Sequence, residues 1–286
     1  MNRGYYKMKT VIMLDSFKPE YVEHTIYLKD ICKKYQNGNL ETPLGFWGGM
    51  DTFFHGNSDK LAFFYYTENS SWKWIRFFTW LKIFGRFPID VLINLWNVAH
   101  GNTLFRTNNI PFNKIHLFDT DVKKPLHKDV QIKYISFHEL DGIAHKYGTK
   151  SQEVTNEVKR LDEIVGKTNW DMIMSDHGML DIKEFVSVPE TEKCFIDSTL
   201  ARYWGEKPKG MPMDKCKLIK ENKKYGDFIY LANPGVCFLP NYWQTNEVKG
   251  MHGYDPKLKE MKGFYIIKQE GKKKDLTMAE LNKYLS

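Results

Sequence analysis

The fold is decided by one short stretch of the chain, WDMIMSDHGM, residues 170–179. Its first half is a brief apolar run, which is typical of a strand buried on both faces of a sheet. Its second half places Asp176 and His177 directly after that run, followed by Gly178. In α/β sheets, ligands bind outside the carboxyl ends of the strands. The stretch therefore predicts a buried strand that delivers two polar side chains to a site.

The same arrangement occurs earlier in the chain. The apolar run TVIML, residues 10–14, ends at Asp15, and a second run ends shortly before Asp141. Segments with helical spacing alternate with these runs, and this alternation predicts an α/β fold with a mostly parallel central sheet flanked by helices. We expect strands at 10–14, 132–137 and 170–174, and helices at 21–35 and 154–164.

One part of the chain departs from this pattern. From Leu61 to Val98, aromatic residues are interleaved with lysine and arginine. We interpret this as part of a cap, inserted at about residues 57–128 into a single domain that spans residues 1–286. Packing of the aromatic rings against the core is favoured over peripheral membrane contact through the cap.

Composition narrows the classes of function. The formal net charge of +7 suits an anionic ligand. The sequence has no phosphate-binding P-loop, no dinucleotide-binding glycine pattern after a strand, and no recognised nucleic-acid module, so a nucleic-acid partner is not expected. The four cysteines are widely spaced without a C-x-x-C pair, and no signal segment precedes the first strand. These features predict a cytoplasmic protein with reduced thiols.

Aspartate and histidine residues supply the candidate chemistry. Asp141 and His145 are four residues apart and would share a helix face, although a solvent-facing pair is the commoner outcome of that spacing. Asp15 alone could equally be a helix cap. Carboxylate oxygen and imidazole nitrogen are ligands of catalytic zinc, and two neighbouring ions can clamp both oxygens of a phosphoryl transfer. The candidate ligands are Asp15, Asp141, His145, Asp176, His177 and His252.

Four segments in a fixed order carry a resemblance to a known family. They are Asp15, Asp-x-x-x-His from Asp141, Asp-His-Gly-Met from Asp176, and His-Gly from His252. In this order they resemble the alkaline phosphatase superfamily, particularly its type I phosphodiesterase and nucleotide pyrophosphatase branch. The resemblance implies an alkaline-phosphatase-like fold and two divalent metal ions, usually zinc, with manganese or magnesium in relatives. It also implies one ion on Asp15, Asp176 and His177, and the other on Asp141, His145 and His252.

The chain departs from the family pattern at two places. Ala144 precedes His145, where relatives normally have glycine. Relatives also place a nucleophilic Thr or Ser after the first strand and helix, often as Thr-Phe-Pro. Thr52 is our candidate because Thr-Phe begins there, whereas a register anchored on Gly56 would put an aromatic residue, Phe46 or Trp47, at that site. Thr42, Ser58 and water activated at the ions are the alternatives.

The resemblance implies a metal-dependent hydrolase or transferase that acts on a phosphodiester or pyrophosphate bond. The expected substrate is a phosphorylated small molecule, a glycan phosphate or a lipid-linked phosphate. Arg202, in a segment that looks like one found in bacterial and archaeal members, is a candidate substrate-phosphate contact, with a structural role as the alternative. The competing hypothesis is a catalytically impaired pseudoenzyme that binds metal and grips a phosphorylated glycan or lipid-linked partner.

Overall fold

The computed structural model describes residues 7–45, 52–54, 130–219, 225–241, 244 and 246–285. Contacts between residues divide the chain into two units. The first takes its described residues from Met1–Ala62, Asn108–Ile182 and Val248–Ser286, and the second takes them from Lys183–Glu247. The predicted cap at about 57–128 lies outside the described residues, so the cap and the single-domain organisation stay predictions.

The elements of the described residues are numbered in chain order. The strands are β1 (Lys7–Leu14), β2 (Tyr35–Glu41), β3 (Val130–Phe137), β4 (Met172–Met174), β5 (Leu180–Asp181), β6 (Glu184–Val186), β7 (Cys194–Ile196), β8 (Leu200–Tyr203), β9 (Cys216–Ile219), β10 (Phe228–Ala232), β11 (Val236–Phe238), β12 (Gly250–Met251), β13 (Gly263–Glu270) and β14 (Leu276–Thr277). The α-helices are α1 (Tyr27–Ile31), α2 (Glu139–Tyr147), α3 (Gln152–Lys167) and α4 (Met278–Asn282). Short 3-10 helices cover Pro19–His24, Lys259–Met261 and Lys283–Leu285.

A six-stranded sheet in the order β14-β2-β13-β4-β1-β3 forms the centre of the first unit. Strand β1 runs parallel to its neighbours β3 and β4, and β14 runs parallel to β2. Only β13 is reversed among these strands, because it pairs antiparallel with both β2 and β4. The predicted α/β fold with a mostly parallel central sheet flanked by helices is confirmed.

Strand β1 is apolar on both faces because helices or other chain segments cover both sides of the sheet. Val11 and Met13 join a core cluster that includes Leu281 of α4. Ile12 and Leu14 point the other way, into a cluster that includes apolar residues of α3. The short continuous run at 10–14 is thereby explained, and the strands predicted at 132–137 and 170–174 are present as β3 and β4.

The helix predicted at 21–35 is wrong as a single element. A 3-10 helix ends at His24, Thr25 is extended, α1 begins at Tyr27, and β2 already begins at Tyr35. The cause is a distant carboxylate: Asp162 on α3 accepts hydrogen bonds from three successive backbone N–H groups, at residues 26, 27 and 28, at 2.8, 2.9 and 2.7 Å. These bonds start a new helix where local spacing alone suggests continuation.

The other prominent helix agrees with its sequence. Helix α3 covers the segment predicted at 154–164, and the Ser151 side chain caps its N-terminus by accepting from Val154 N at 3.2 Å. Val158, Leu161 and Val165 form its buried stripe. Within the residues that the structure describes, no helix is long and apolar enough to cross a bilayer.

The second unit is built differently. Its main sheet is antiparallel, in the order β7-β8-β10-β9, and β11 pairs with β6 in parallel. The central strand β8 is buried throughout, including the side chain of Arg202.

Candidate metal centre

Two aspartates lie at the carboxyl ends of neighbouring parallel strands. Asp15 directly follows β1, and Asp176 lies two residues beyond β4. The strands are in register at Met13 and Met174, so their ends coincide. Between them, Ser16 adopts a left-handed backbone with φ 62° and donates its N–H to Asp176 Oδ1 at 3.3 Å. Parallel pairing and one tight turn therefore bring the two carboxylates together.

His177 is placed by a tightly packed turn. Its backbone carbonyl accepts a hydrogen bond from Ser175 Oγ at 2.8 Å, and Gly178 N donates to the carbonyl of Met261 at 3.1 Å. A Cβ on Gly178 would overlap the carbonyl oxygen of Glu260. Glycine is required here by this close approach of two backbones.

Asp141 and His145 lie one turn apart on α2, as their spacing predicts. Asp141 Oδ2 is 3.3 Å from His145 Nε2. The other ring nitrogen, Nδ1, is 2.8 Å from the backbone carbonyl of Gly250. A carbonyl accepts only, so Nδ1 carries the proton and donates, and in neutral imidazole this leaves the Nε2 lone pair facing the carboxylate.

His252 follows the short strand β12 and connects the two groups of side chains. Its ring stacks on that of His177, with centroids 3.8 Å apart and planes inclined by 13°. Its centroid is also 5.2 Å from that of His145. Strand β12 lies close to α2, because a Cβ on Gly250 would come within 2.6 Å of the Ala144 carbonyl oxygen.

The six candidate ligands form two groups of three. In each group the ligand atoms lie within 4.8 Å of one another. One group offers two carboxylates and one imidazole, and the other offers one carboxylate and two imidazoles. Each of these ligand sets fits a zinc-like ion. The groups are Asp15, Asp176 and His177, and Asp141, His145 and His252.

Two buried carboxylate oxygens indicate that the site is suited to bind a cation. Oδ1 of Asp15 and Oδ1 of Asp141 have no hydrogen-bond partner among the described residues. A buried carboxylate oxygen without a partner is costly, and a cation would satisfy it. The donors present therefore fit a metal ion in each group.

The titration behaviour of the carboxylates reflects this crowding. Burial raises the pKa of Asp15 well above its ordinary value, and the negative charges of Asp176 and Asp141 raise it further. Burial alone would also raise the pKa of Asp141, but its contacts with His145 and the neighbouring histidines outweigh burial and lower it. Negative charges gathered in a buried site favour a cation.

The two histidines of the second group differ in the net shift of their pKa values. Burial lowers the pKa of His252 well below its ordinary value, and the charge of His177 lowers it further. Burial also opposes protonation of His145, but its hydrogen bond to Asp141 outweighs this, so the pKa of His145 is raised. The His252 ring therefore favours its neutral form, which has a lone pair to donate, whereas the proton competes with a cation more strongly at His145.

The nucleophile candidate Thr52 begins one helical turn at residues 52–54 and is buried. Phe54 in that turn contacts Tyr134, with ring centroids 5.4 Å apart. Burial raises the pKa of Tyr134, and the negative charges of Asp176 and Asp15 raise it further. The turn thus packs on a tyrosine whose pKa is affected by the carboxylates of the first group. The nucleophile role of Thr52 stays a prediction.

The alternatives to Thr52 are distributed differently. Thr42 is buried just after β2. Ser58, Phe46 and Trp47 lie outside the described residues.

Arg202 is fully buried within β8 of the second unit. Its guanidinium carbon lies 4.9 Å from the ring centroid of Phe195 and 5.6 Å from that of Trp204. This packing favours the structural role, and the predicted phosphate contact stays a prediction.

Sequence reasoning missed His138 and Ser136. His138 follows β3 and precedes α2, and its Nδ1 lies 2.7 Å from Asp15 Oδ2. Its Nε2 lies 3.0 Å from Ser136 Oγ. The available signal was position, since both residues lie at the carboxyl end of a parallel strand, where ligand sites form.

Comparison with known proteins gives one family match and a set of solved structures with a similar fold. A sequence model of the type I phosphodiesterase / nucleotide pyrophosphatase family matches residues 106–217. No curated protein sequence matches the chain. Among solved structures, murine ectonucleotide pyrophosphatase / phosphodiesterase 5 is similar, with 13% identity, a TM-score of 0.59, and coverage of 97% of this chain and 93% of that one.

Two further solved structures have the same fold. One is an inactive variant of the murine protein in complex with AMP, with 13% identity, a TM-score of 0.58, and coverage of 98% of this chain and 94% of that chain. The other is the human protein of the same name, with 13% identity, a TM-score of 0.55, and coverage of 97% and 93%. At this identity, the structural likeness shows a shared fold.

Proposed function

We propose that this chain is a member of the alkaline phosphatase superfamily, in its type I phosphodiesterase and nucleotide pyrophosphatase branch, and that it hydrolyses a phosphodiester or pyrophosphate bond using two divalent cations. The observation that carries the proposal is the pairing of two three-residue ligand groups. They are joined through the stacked rings of His177 and His252. Two adjacent cation sites suit a reaction in which both the attacking and the leaving oxygen carry negative charge.

The ligand residues have distinct tasks in this proposal. Asp15, Asp176 and His177 would hold one ion, and Asp141, His145 and His252 the other, with zinc proposed first and manganese or magnesium as alternatives. When bound, the ions would supply positive charge that polarises the phosphoryl group and stabilises the leaving oxygen. The carbonyl of Gly250 accepts the N–H of His145 Nδ1 and so holds the tautomer whose Nε2 lone pair would bind the ion.

Thr52 is the proposed nucleophile. Its Oγ would give up its proton, by way of solvent, to the leaving oxygen and would form a bond to phosphorus as the bond from phosphorus to that oxygen breaks. Water would then hydrolyse the ester between Thr52 and the retained phosphoryl group, which restores the Thr52 hydroxyl. Its support is the Thr-Phe sequence and the packing of Phe54 on Tyr134 beside the first ligand group. Attack by water in place of Thr52 is the alternative route.

The proposed substrate is a phosphorylated small molecule, and a nucleotide is the first choice because a protein with this fold has been solved with AMP. Glycan phosphates and lipid-linked phosphates remain candidates. The sequence carries a formal net charge of +7, which favours an anionic substrate. All four cysteines lie in the described residues and none forms a disulfide, so they agree with the proposed cytoplasmic location.

The test is turnover of two chromogenic diesters, bis(p-nitrophenyl) phosphate and the p-nitrophenyl ester of thymidine 5′-monophosphate, with zinc, manganese or magnesium. A monoester, p-nitrophenyl phosphate, is the comparison substrate. We expect diester turnover that needs metal and exceeds monoester turnover. Asp176→Ala should be inactive, and His24→Ala, which alters an exposed histidine, should match the wild type. Full metal loading without turnover on any substrate would refute hydrolysis and leave the pseudoenzyme hypothesis.

A further inference from the structure

His138 contacts a metal-ligand candidate without belonging to either ligand group. It stands between the end of β3 and the start of α2, where it is the N-cap residue, but its side chain makes no capping hydrogen bond. Instead, Nδ1 points to Oδ2 of Asp15 at 2.7 Å, and Nε2 to Oγ of Ser136 at 3.0 Å. The imidazole therefore bridges a hydroxyl and a carboxylate.

The chemistry of the two partners decides the direction of these hydrogen bonds. When the group holds a cation, Asp15 is ionised and its carboxylate only accepts, so Nδ1 of His138 donates to it. In the neutral ring Nε2 then has a lone pair, and the Ser136 hydroxyl donates to it. The result is a directed chain from Ser136 through His138 to one oxygen of Asp15.

The two oxygens of Asp15 are thereby given different roles. Oδ2 is engaged by His138, whereas Oδ1 is buried without a hydrogen-bond partner among the described residues. Oδ1 also lies 3.5 Å from Nε2 of His177, its companion in the ligand group. A carboxylate held through one oxygen presents the other to an ion in a single orientation.

Two other ligands, Asp176 and His145, have comparable supports. Asp176 receives the N–H of Ser16 at 3.3 Å, and His145 is held by the carbonyl of Gly250 at 2.8 Å. Partners of this kind around a metal site orient the ligands and raise the metal affinity. His138 completes this pattern for Asp15.

A purely stabilising role does not account for the contact. The His138 side chain is 50% exposed, against 13% for Asp15. Such a half-exposed pair contributes little to the stability of the fold. The consequence of the contact between His138 and Asp15 is that the Asp15 carboxylate is held in one orientation within the first ligand group.

We propose that His138, held by Ser136, is a positioning residue that presents Oδ1 of Asp15 to the cation of the Asp15, Asp176 and His177 group. This inference rests on the proposed function, because it assumes that the group binds a cation. It adds two residues to the site that are neither ligands nor nucleophile.

The test measures cation affinity at the first group alone. Asp141→Asn disables the second group, and in that background Mn²⁺ and Zn²⁺ affinities are compared by calorimetry, with a competing chelator for zinc. We expect His138→Ala to weaken binding about 10–100-fold. His138→Asn retains an N–H donor and should bind more tightly than His138→Ala, and Ser136→Ala should show a smaller loss. His24→Ala is the matched control and should leave affinity unchanged.

The metal-free thermal midpoint separates positioning from folding, since the half-exposed pair predicts little change in it for His138→Ala. Equal cation affinity in the Asp141→Asn parent and its His138→Ala derivative would overturn the inference. Equal losses of cation affinity for His138→Ala and His138→Asn would also overturn it. If the wild type binds no cation, both the inference and the proposed function fail. If the wild type binds cations but the Asp141→Asn parent does not, the inference alone fails, because the first group does not hold an ion by itself. If the affinities follow the expected order but the wild type hydrolyses no phosphodiester, only the proposed function fails.

Discussion

The rings of His177 and His252 are stacked with centroids 3.8 Å apart, although the two residues belong to different ligand groups. This contact means that the two ligand groups are adjacent and meet at the stacked rings. Each group also has two ligands that are not part of this ring stack. One group can therefore lose its ion while the other group retains its own.

Metal content should respond to single ligand substitutions one group at a time. The wild type is expected to bind about two equivalents of zinc or manganese, while Asp176→Ala and His252→Ala each bind about one, because each removes one of three ligands from a single group. Elemental analysis of purified protein makes the measurement, with His24→Ala as the control. A variant that loses both ions would show that the groups do not load independently.

The stabilisation given by a cation should grow with pH. In the metal-free protein, burial and the Asp176 charge raise the pKa of Asp15, and contact with Asp141 outweighs burial to raise that of His145. A group with a raised folded-state pKa stabilises the fold fully at low pH and loses that contribution as pH rises through its pKa. A cation competes with the proton at both groups, and this competition weakens as pH rises.

The thermal midpoint with and without Mn²⁺ checks this, and we expect a larger gain at about pH 8 than at about pH 5. Calcium, which prefers all-oxygen ligands, is the control cation and should give a smaller gain. Equal gains at both pH values would show that binding displaces no proton.

Part of this architecture follows from local sequence and part does not. Apolar runs such as the one ending at Asp15 predict the buried parallel strands, and the strand ends predict where ligands gather. The position of β13 between β2 and β4 was not predictable, because a strand from the end of the chain inserts there by long-range pairing. The break in the helix predicted at 21–35 likewise depends on Asp162, which is distant in sequence. Local spacing contains no information on such contacts.

Asp162 should be the most sensitive acidic residue outside the metal centre. Its carboxylate accepts three backbone N–H groups at the start of α1, so Asp162→Ala would leave three donors without an acceptor. We expect a loss of about 3–5 kcal/mol in the free energy of unfolding, with a smaller loss for Asp162→Asn. Chemical denaturation measures it. The exposed neighbour Glu163 is the control, and Glu163→Gln should change stability by less than about 0.5 kcal/mol.

The glycine after His177 should not tolerate a methyl group. Gly178→Ala places its Cβ against the carbonyl of Glu260, so backbone must shift beside a ligand; we expect both stability and metal affinity to fall. Gly142, inside α2 and next to Asp141, is the matched control because a Cβ there meets nothing within 4 Å. Gly142→Ala should stabilise the protein by up to about 1 kcal/mol. Equal behaviour of the two variants would contradict the close approach at Gly178.

Thr52→Ala decides which group attacks phosphorus. If Thr52 Oγ is the nucleophile, the substitution should lower kcat by about 1000-fold or more while both cations stay bound, because each ligand group keeps its three Asp and His residues. Thr52→Ser keeps a hydroxyl and should retain a measurable part of the rate. Thr42→Ala, which removes another buried threonine hydroxyl, is the matched control and should turn over diester like the wild type. Wild-type turnover by Thr52→Ala would exclude the covalent route through this residue, whereas loss of activity only in Thr42→Ala would move the nucleophile to the end of β2.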